Sequence, residues 1–155
     1  MPSVTPDGAD EDPPRQRLLT WLERAGCAWS VPDEDTGAPL HEILVADCVV
    51  HGEVVRLFHD ANDRPYHVRA VCSLGELPAT DEVPLMLQLL HANLQMSLEG
   101  GSLVLGLHPD DDGVCLTDEI SLDPQAENAF RLALFHLGDQ PGRWREGRFL
   151  PQASL

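Results

Sequence analysis

LLHANLQMSLEGGSLVLGLHPDDDG, Leu89 to Gly113, holds the reading of the fold. It opens in a stretch whose apolar residues, Leu85, Met86, Leu87, Leu89, Leu90, Ala92, Leu94, Met96 and Leu98, circle almost the whole helix when laid out at 100° per residue. Only a narrow polar strip of Gln88, His91 and Gln95 is left. A helix on a one-sided sheet needs one apolar stripe of roughly 100° or more. The surplus here calls for a second cover, and the economical one is another copy of the chain. Gly100-Gly101 ends the helix, and Leu103, Leu105 and Leu107 then alternate as a strand does. Asp110-Asp111-Asp112-Gly113 turns that strand into Val114-Cys115-Leu116, a hairpin.

Upstream, RQRLLTWLERAG places Leu18, Leu19, Trp21, Leu22 and Ala25 on one arc and closes on Gly26, which predicts a short amphipathic helix. SVPDEDTGAP reads as a loop. Three strands follow: Ile43 to Val50, Glu53 to His59 after a tight His51-Gly52 turn, and Tyr66 to Cys72 after a longer turn. GELPATDEVP leads into the leucine-rich helix, with Thr80 or Asp81 as its cap and Pro84 in its first turn. Downstream, PQAENAFRLALFHLG puts Ala126, Phe130, Ala133, Leu134 and Leu137 on one arc between Pro124 and Gly138, a last helix. The order α-β-β-β-α-β-β-α predicts an α+β fold with a mostly antiparallel, five-stranded sheet flanked by helices. Residues 1–14, rich in proline and acid, read as a disordered acidic tail, 15–138 as the domain, and 139–155 as a short C-terminal tail with Arg143, Trp144, Arg145, Arg148 and Phe149.

Composition limits the function. The chain has 155 residues, enough for one domain, and a net charge of −16 with ten arginines and no lysine. Such a surface repels nucleic-acid phosphate and anionic lipid, so no nucleic-acid partner is expected. No stretch approaches the roughly 20 apolar residues of a membrane span, and the first residues lack the basic and apolar regions of a secretory signal. Cys27, Cys48, Cys72 and Cys115 are scattered without a CxxC, as expected of small buried hydrophobes in a reducing cytoplasm.

No catalytic pattern emerges. Seven histidines suggest metal, but paired ligands at zinc spacing are missing, and His67 and Cys72 point to opposite faces of one strand. Registered on Gly113, a calcium loop would close on Glu119 but would need an acid where Leu107 stands. GxSxG, GxxxxGK[ST] and GxGxxG are all absent. No cofactor and no catalytic residue is assigned, and a binding protein is expected. Two readings of another class stay open: an acidic DNA mimic or inhibitor, and a small cytoplasmic enzyme. The acids cluster in tail, loops and turns rather than along one face, which speaks against the mimic, and no spacing predicts the buried titratable cluster an enzyme would need.

LLHANLQMSLEGGSLVLGLHPDDDGVCLTDEISLD resembles the signature region of type III secretion chaperones of the Tir-chaperone, CesT-like class I family. Leu89-Leu90 and Asn93-Leu94 match its leucine-rich helix, Leu105-Gly106-Leu107 its strand, and Val114 to Leu116 the strand that follows. The resemblance spans about Gln16 to Leu137. It departs at His108-Pro109, where an acid is usual, and at GDQPG, which interrupts the last helix before Trp144. The resemblance implies a bacterial cytoplasmic homodimer without ATPase activity. Such proteins bind the extended N-terminal region of a secreted effector and keep it soluble for export. It implies a dimer interface at Leu87, Leu90, Leu94, Leu103 and Leu105. It implies effector contacts at Leu18, Leu22, Val45 and Val54, with strand addition at a sheet edge.

Overall fold

The computed structural model describes residues 13–30, 43–77, 82–108, 110–111 and 113–147. The N-terminal tail up to residue 12, most of the loop after Ser30, the Thr80/Asp81 cap and the chain beyond 147 lie outside the described residues.

Helix α1 (Pro14–Arg24) starts with proline at its first position, where the missing N–H costs nothing, so Pro14 belongs to the helix and not to the tail. Its end is set by Gly26 at φ +72°, a conformation that a side chain would strain. Strand β1 (Ala28–Ser30) follows, then β2 (Ile43–Val50), β3 (Glu53–Asp60) and β4 (His67–Gly75). His51 and Gly52 both have positive φ, 52° and 82°, which gives the β2–β3 hairpin the twist of a type I′ turn. The longer turn is held by Asp60, whose Oδ1 accepts the N–H groups of Asn62 (2.9 Å) and Asp63 (3.1 Å). Helix α2 (Glu82–Leu98), β5 (Val104–Leu107), β6 (Val114–Ser121) and α3 (Glu127–Arg145) complete the elements of the described residues.

The expected α+β fold is present. Its sheet is antiparallel throughout and runs β1-β2-β3-β4-β6-β5. Among the described residues it has six strands instead of five. The extra one, β1, is three residues long and holds no β-branched residue, so no alternation betrays it.

Parity decides which side of the sheet is core. Ala46, Cys48, Val50, Val55, Leu57, Val68, Ala70, Cys72, Leu74, Val114, Leu116 and Ile120 are all buried on one face, under α1 and α3. Leu18, Trp21 and Leu22 come down from α1, and Phe130, Leu134 and Leu137 from α3. The Trp21 and Phe130 rings meet at 5.4 Å and a tilt of 53°, joining the two helices. The buried Arg17 donates through Nη1 to the Leu122 carbonyl at 2.6 Å.

The last helix does not stop at Gly138. It runs to Arg145 through Gly138, Pro141 and Gly142, so 139–145 is helix and not tail. A proline inside a helix costs about 3 kcal/mol. Leu134, Leu137, Gly138, Gln140 and Pro141 are all buried along this stretch. Two buried leucines alone are worth roughly 1.5–3 kcal/mol each, so packing outweighs the break. Gly138 is there for proximity: a Cβ on it would lie 2.4 Å from Cγ1 of Val50. Trp144 packs on the core, and the Arg145 guanidinium pairs with Glu53 at the start of β3.

Candidate functional site: two uncovered apolar surfaces

Helix α2 shows two faces. Leu85, Leu89 and Ala92 are buried, with Met96 packed behind them, a spacing of four, three and four that forms the inward stripe. The other apolar residues face out: Leu87 is 60% exposed, Leu90 63% and Leu94 55%, with Val83, Met86 and Leu98 beside them in sequence. Asn93 attaches the helix to the edge strand β5. Its Nδ2 donates to the Leu105 carbonyl (2.9 Å), and the Leu105 N–H donates to its Oδ1 (2.7 Å). Val104 and Leu107 on β5 are exposed as well.

The second surface is the face of the sheet turned away from α1 and α3. Register places Val45 opposite Phe58 and Val49 opposite Val54, two apolar rows across β2 and β3. Val49, Val54 and Phe58 are exposed and Val45 is half-buried. Between the rows Asp47 faces Arg56, whose Nε and Nη2 donate to the two carboxylate oxygens at 2.7 and 2.8 Å. That fork outweighs the opposing push of partial burial and holds the Asp47 carboxyl below its ordinary range. The pair is a polar register mark in an apolar strip.

Among the dimer residues implied by the resemblance, Leu87, Leu90 and Leu94 therefore lie together on the outward face of α2. Leu103 is half-buried against the core and Leu105 is only 5% exposed, sealed over the sheet. These two support the surface from behind; the exposed residues at that edge are Val104 and Leu107. Among the effector residues, Val45 and Val54 share the open sheet face. Leu18 and Leu22 do not join them. At 1% and 0% exposure they are core, because the single apolar stripe of α1 is spent on the chain's own sheet. Sequence reasoning missed Val49 and Phe58, although parity in Glu53–Asp60 puts Phe58 on the side of Val54.

Chemistry is sparse on both surfaces. Among the described residues no group of three or more His, Cys, Asp or Glu side chains is placed to hold an ion. Cys48 and Cys72 are buried thiols; burial, with the Cys27 thiol beside it, pushes Cys48 up to about 12, and burial pushes Cys72 up to about 11. No described helix is long and apolar enough to cross a membrane.

No family model matches the chain, and no curated protein matches it in sequence. Among solved structures it is similar to a chain of the HopA1–SchA chaperone–effector complex, with a TM-score of 0.57. The match covers 85% of this chain and 92% of that one at 14% identity. At that identity the likeness is one of fold, the α+β fold of a chain from a chaperone–effector assembly.

Proposed function

We propose that this chain is a homodimeric type III secretion chaperone. It binds the N-terminal region of one or more secreted effectors in extended form in the bacterial cytoplasm, keeps it soluble and export-competent, and carries out no chemistry. The observation that carries the reading is the pair of separate apolar surfaces left open on a fold shared with a chain of a chaperone–effector complex. Contiguous exposed apolar patches on a small soluble domain mark interaction sites.

Two surfaces suit two partners. The outward face of α2, with Leu87, Leu90 and Leu94, together with Val104 and Leu107 of β5, serves a second copy. A stable dimer buries on the order of 1,200–2,000 Å² in total, and unpaired leucines on a helix supply such a core. The sheet face around Val45, Val49, Val54 and Phe58 serves the effector. There the alternate side chains of an extended segment meet two apolar rows, and the Asp47–Arg56 pair sets their register. The net charge of −16 favours effector segments with basic residues, and that preference weakens as salt rises.

Light scattering on the purified chain at micromolar concentration tests the first half. A dimer mass supports the reading, and a monomer mass removes the second copy from it. Co-purification from the source bacterium tests the second half. An effector retained by the native chain and lost when Val54→Asp and Phe58→Asp are introduced together supports it; retention unchanged by the double variant refutes the sheet face as the site.

A further inference from the structure

A cleft of about 300 Å³ lies between the last turn of α1 and the first turns of α3, away from both apolar surfaces. Trp21, Arg24, Ala25, Glu127, Asn128 and Arg131 line it. The positions 21, 24 and 25 form one face of α1, and 127, 128 and 131 one face of α3. Its electrostatics run against those of the protein as a whole. Arg56, Arg64 and Arg145 each lie on a carboxylate elsewhere on the surface. In the cleft two guanidiniums share one carboxylate. Nη1 of Arg24 reaches Glu127 at 3.1 Å, while among the described residues Nη2 of Arg131 donates to the neutral Oδ1 of Asn128, at 2.8 Å. The cleft therefore carries a net positive charge on a chain of net charge −16. A guanidinium has five N–H donors, and in the cleft Arg24 spends one on Glu127 and Arg131 one on Asn128, which leaves planar forks for an oxygen pair. The start of α3 adds to the same sign, since its N-cap, Ala126, offers no side-chain acceptor to the first-turn amides.

We propose that this cleft is a specificity subsite that takes one aspartate or glutamate side chain of the partner segment. The inference rests on the reading of the chain as a binder of extended segments, and names a residue class that such a segment carries. The surrounding negative field sharpens the choice. A run of acids is repelled before it arrives, whereas a single carboxylate in a neutral or basic stretch finds a cleft lined by two guanidiniums and one carboxylate. The ligand oxygens receive N–H donors from Arg131 and from the free side of Arg24, and the Trp21 side chain closes the floor.

The test uses the full-length ¹⁵N-labelled chain and two small probes, N-acetyl-aspartate N-methylamide and its asparagine counterpart. Saturable shifts at the Trp21 indole N–H and at Nε–H of Arg24 and Arg131 are expected with the aspartate probe. The neutral probe should bind at least about tenfold more weakly, the ratio that follows when charge-assisted bonds worth about 1.5 kcal/mol are lost. Arg131→Gln should weaken the aspartate probe by a similar factor, and Arg143→Gln, exposed later on the same helix, should leave it unchanged. Equal binding of both probes, no saturation, or equal loss in the two variants overturns the proposal. Binding that emerges only after Asp7, Asp10, Glu11 and Asp12 are changed to amides assigns the cleft to the chain's own acidic segment, and overturns it too. Because the probes need no effector, a negative result here leaves the chaperone reading standing, and failure of the dimer or effector tests leaves this result readable.

Discussion

The carboxamide of Asn93 occupies the place of a neighbouring strand: it gives one hydrogen bond to the Leu105 carbonyl and takes one from the Leu105 N–H, at 2.9 and 2.7 Å. Edge strands are liabilities because their outward backbone groups invite pairing. Here a helix side chain fills both groups of one residue, and it also fixes how α2 lies on the sheet.

Replacing Asn93 with alanine removes both bonds and leaves a partly buried N–H and C=O without a partner. A loss of roughly 1–3 kcal/mol is expected. Urea unfolding should show a lower midpoint at unchanged slope. An unchanged midpoint would mean that water replaces the amide at no cost.

The two faces of α2 should separate in mutagenesis. Leu89→Ala empties a buried site and should cost about 2–5 kcal/mol. Leu90→Ser with Leu94→Ser changes only exposed positions, so the unfolding free energy of the isolated fold should move by about 0.5 kcal/mol or less per site. If α2 carries the second copy, the same double variant lowers the light-scattering mass to that of a monomer. A dimer mass that survives it places the interface elsewhere.

Gly138 and Gly142 lie one turn apart in α3 and should respond in opposite directions. A Cβ at 138 runs into Val50, at 2.4 Å from Cγ1 and 3.0 Å from the backbone oxygen, whereas nothing lies within 4 Å of one at 142. Gly138→Ala should therefore destabilise by roughly 1–3 kcal/mol through overpacking. Gly142→Ala should stabilise by about 0.4–1 kcal/mol, since the helix former also narrows the unfolded ensemble. Thermal unfolding of the two variants side by side checks the sign.

Cys48 and Cys72 predict an alkaline limit. Their thiols titrate near 12 and 11 in the fold, against an ordinary value of 9.0. A group that holds its proton more tightly when folded stabilises the fold fully below pH 9, and loses that contribution as pH climbs towards the folded value. Stability should fall between pH 9 and about 12, where the unfolded thiols ionise first. At neutral pH a thiol reagent should label fewer than four cysteines in the native chain and all four in denaturant. Rapid native labelling of Cys48 and Cys72 would show that the strands carrying them open locally.

Much of the architecture was legible because local periodicity is a property of the chain alone. The three-strand meander, the His51-Gly52 hairpin, the apolar surplus of α2 and the Gly100-Gly101 stop all follow from spacing and backbone preference. So does the kinship of Val45 and Val54, which share a face by parity across one hairpin. The tertiary structure decided which face of each element is spent on the chain's own core. Leu18 and Leu22 look like Leu87 and Leu90 in sequence, yet the first two are buried in the core with Phe130 and Leu134 of α3 while the other two stay exposed. The length of α3 was settled at the same level. Gly138 and Pro141 are stop signals to a local reading, but the close approach of Gly138 to Val50 and the burial of Pro141 hold the helix together to Arg145. The pairing of Arg24 with Arg131 across a cleft joins residues 107 apart, and no local rule brings them together; the Trp21–Phe130 contact does. Propensity acts over a few residues at tenths of a kcal/mol each, whereas burial of a single large side chain is worth several times that. Where the two conflict, packing chooses.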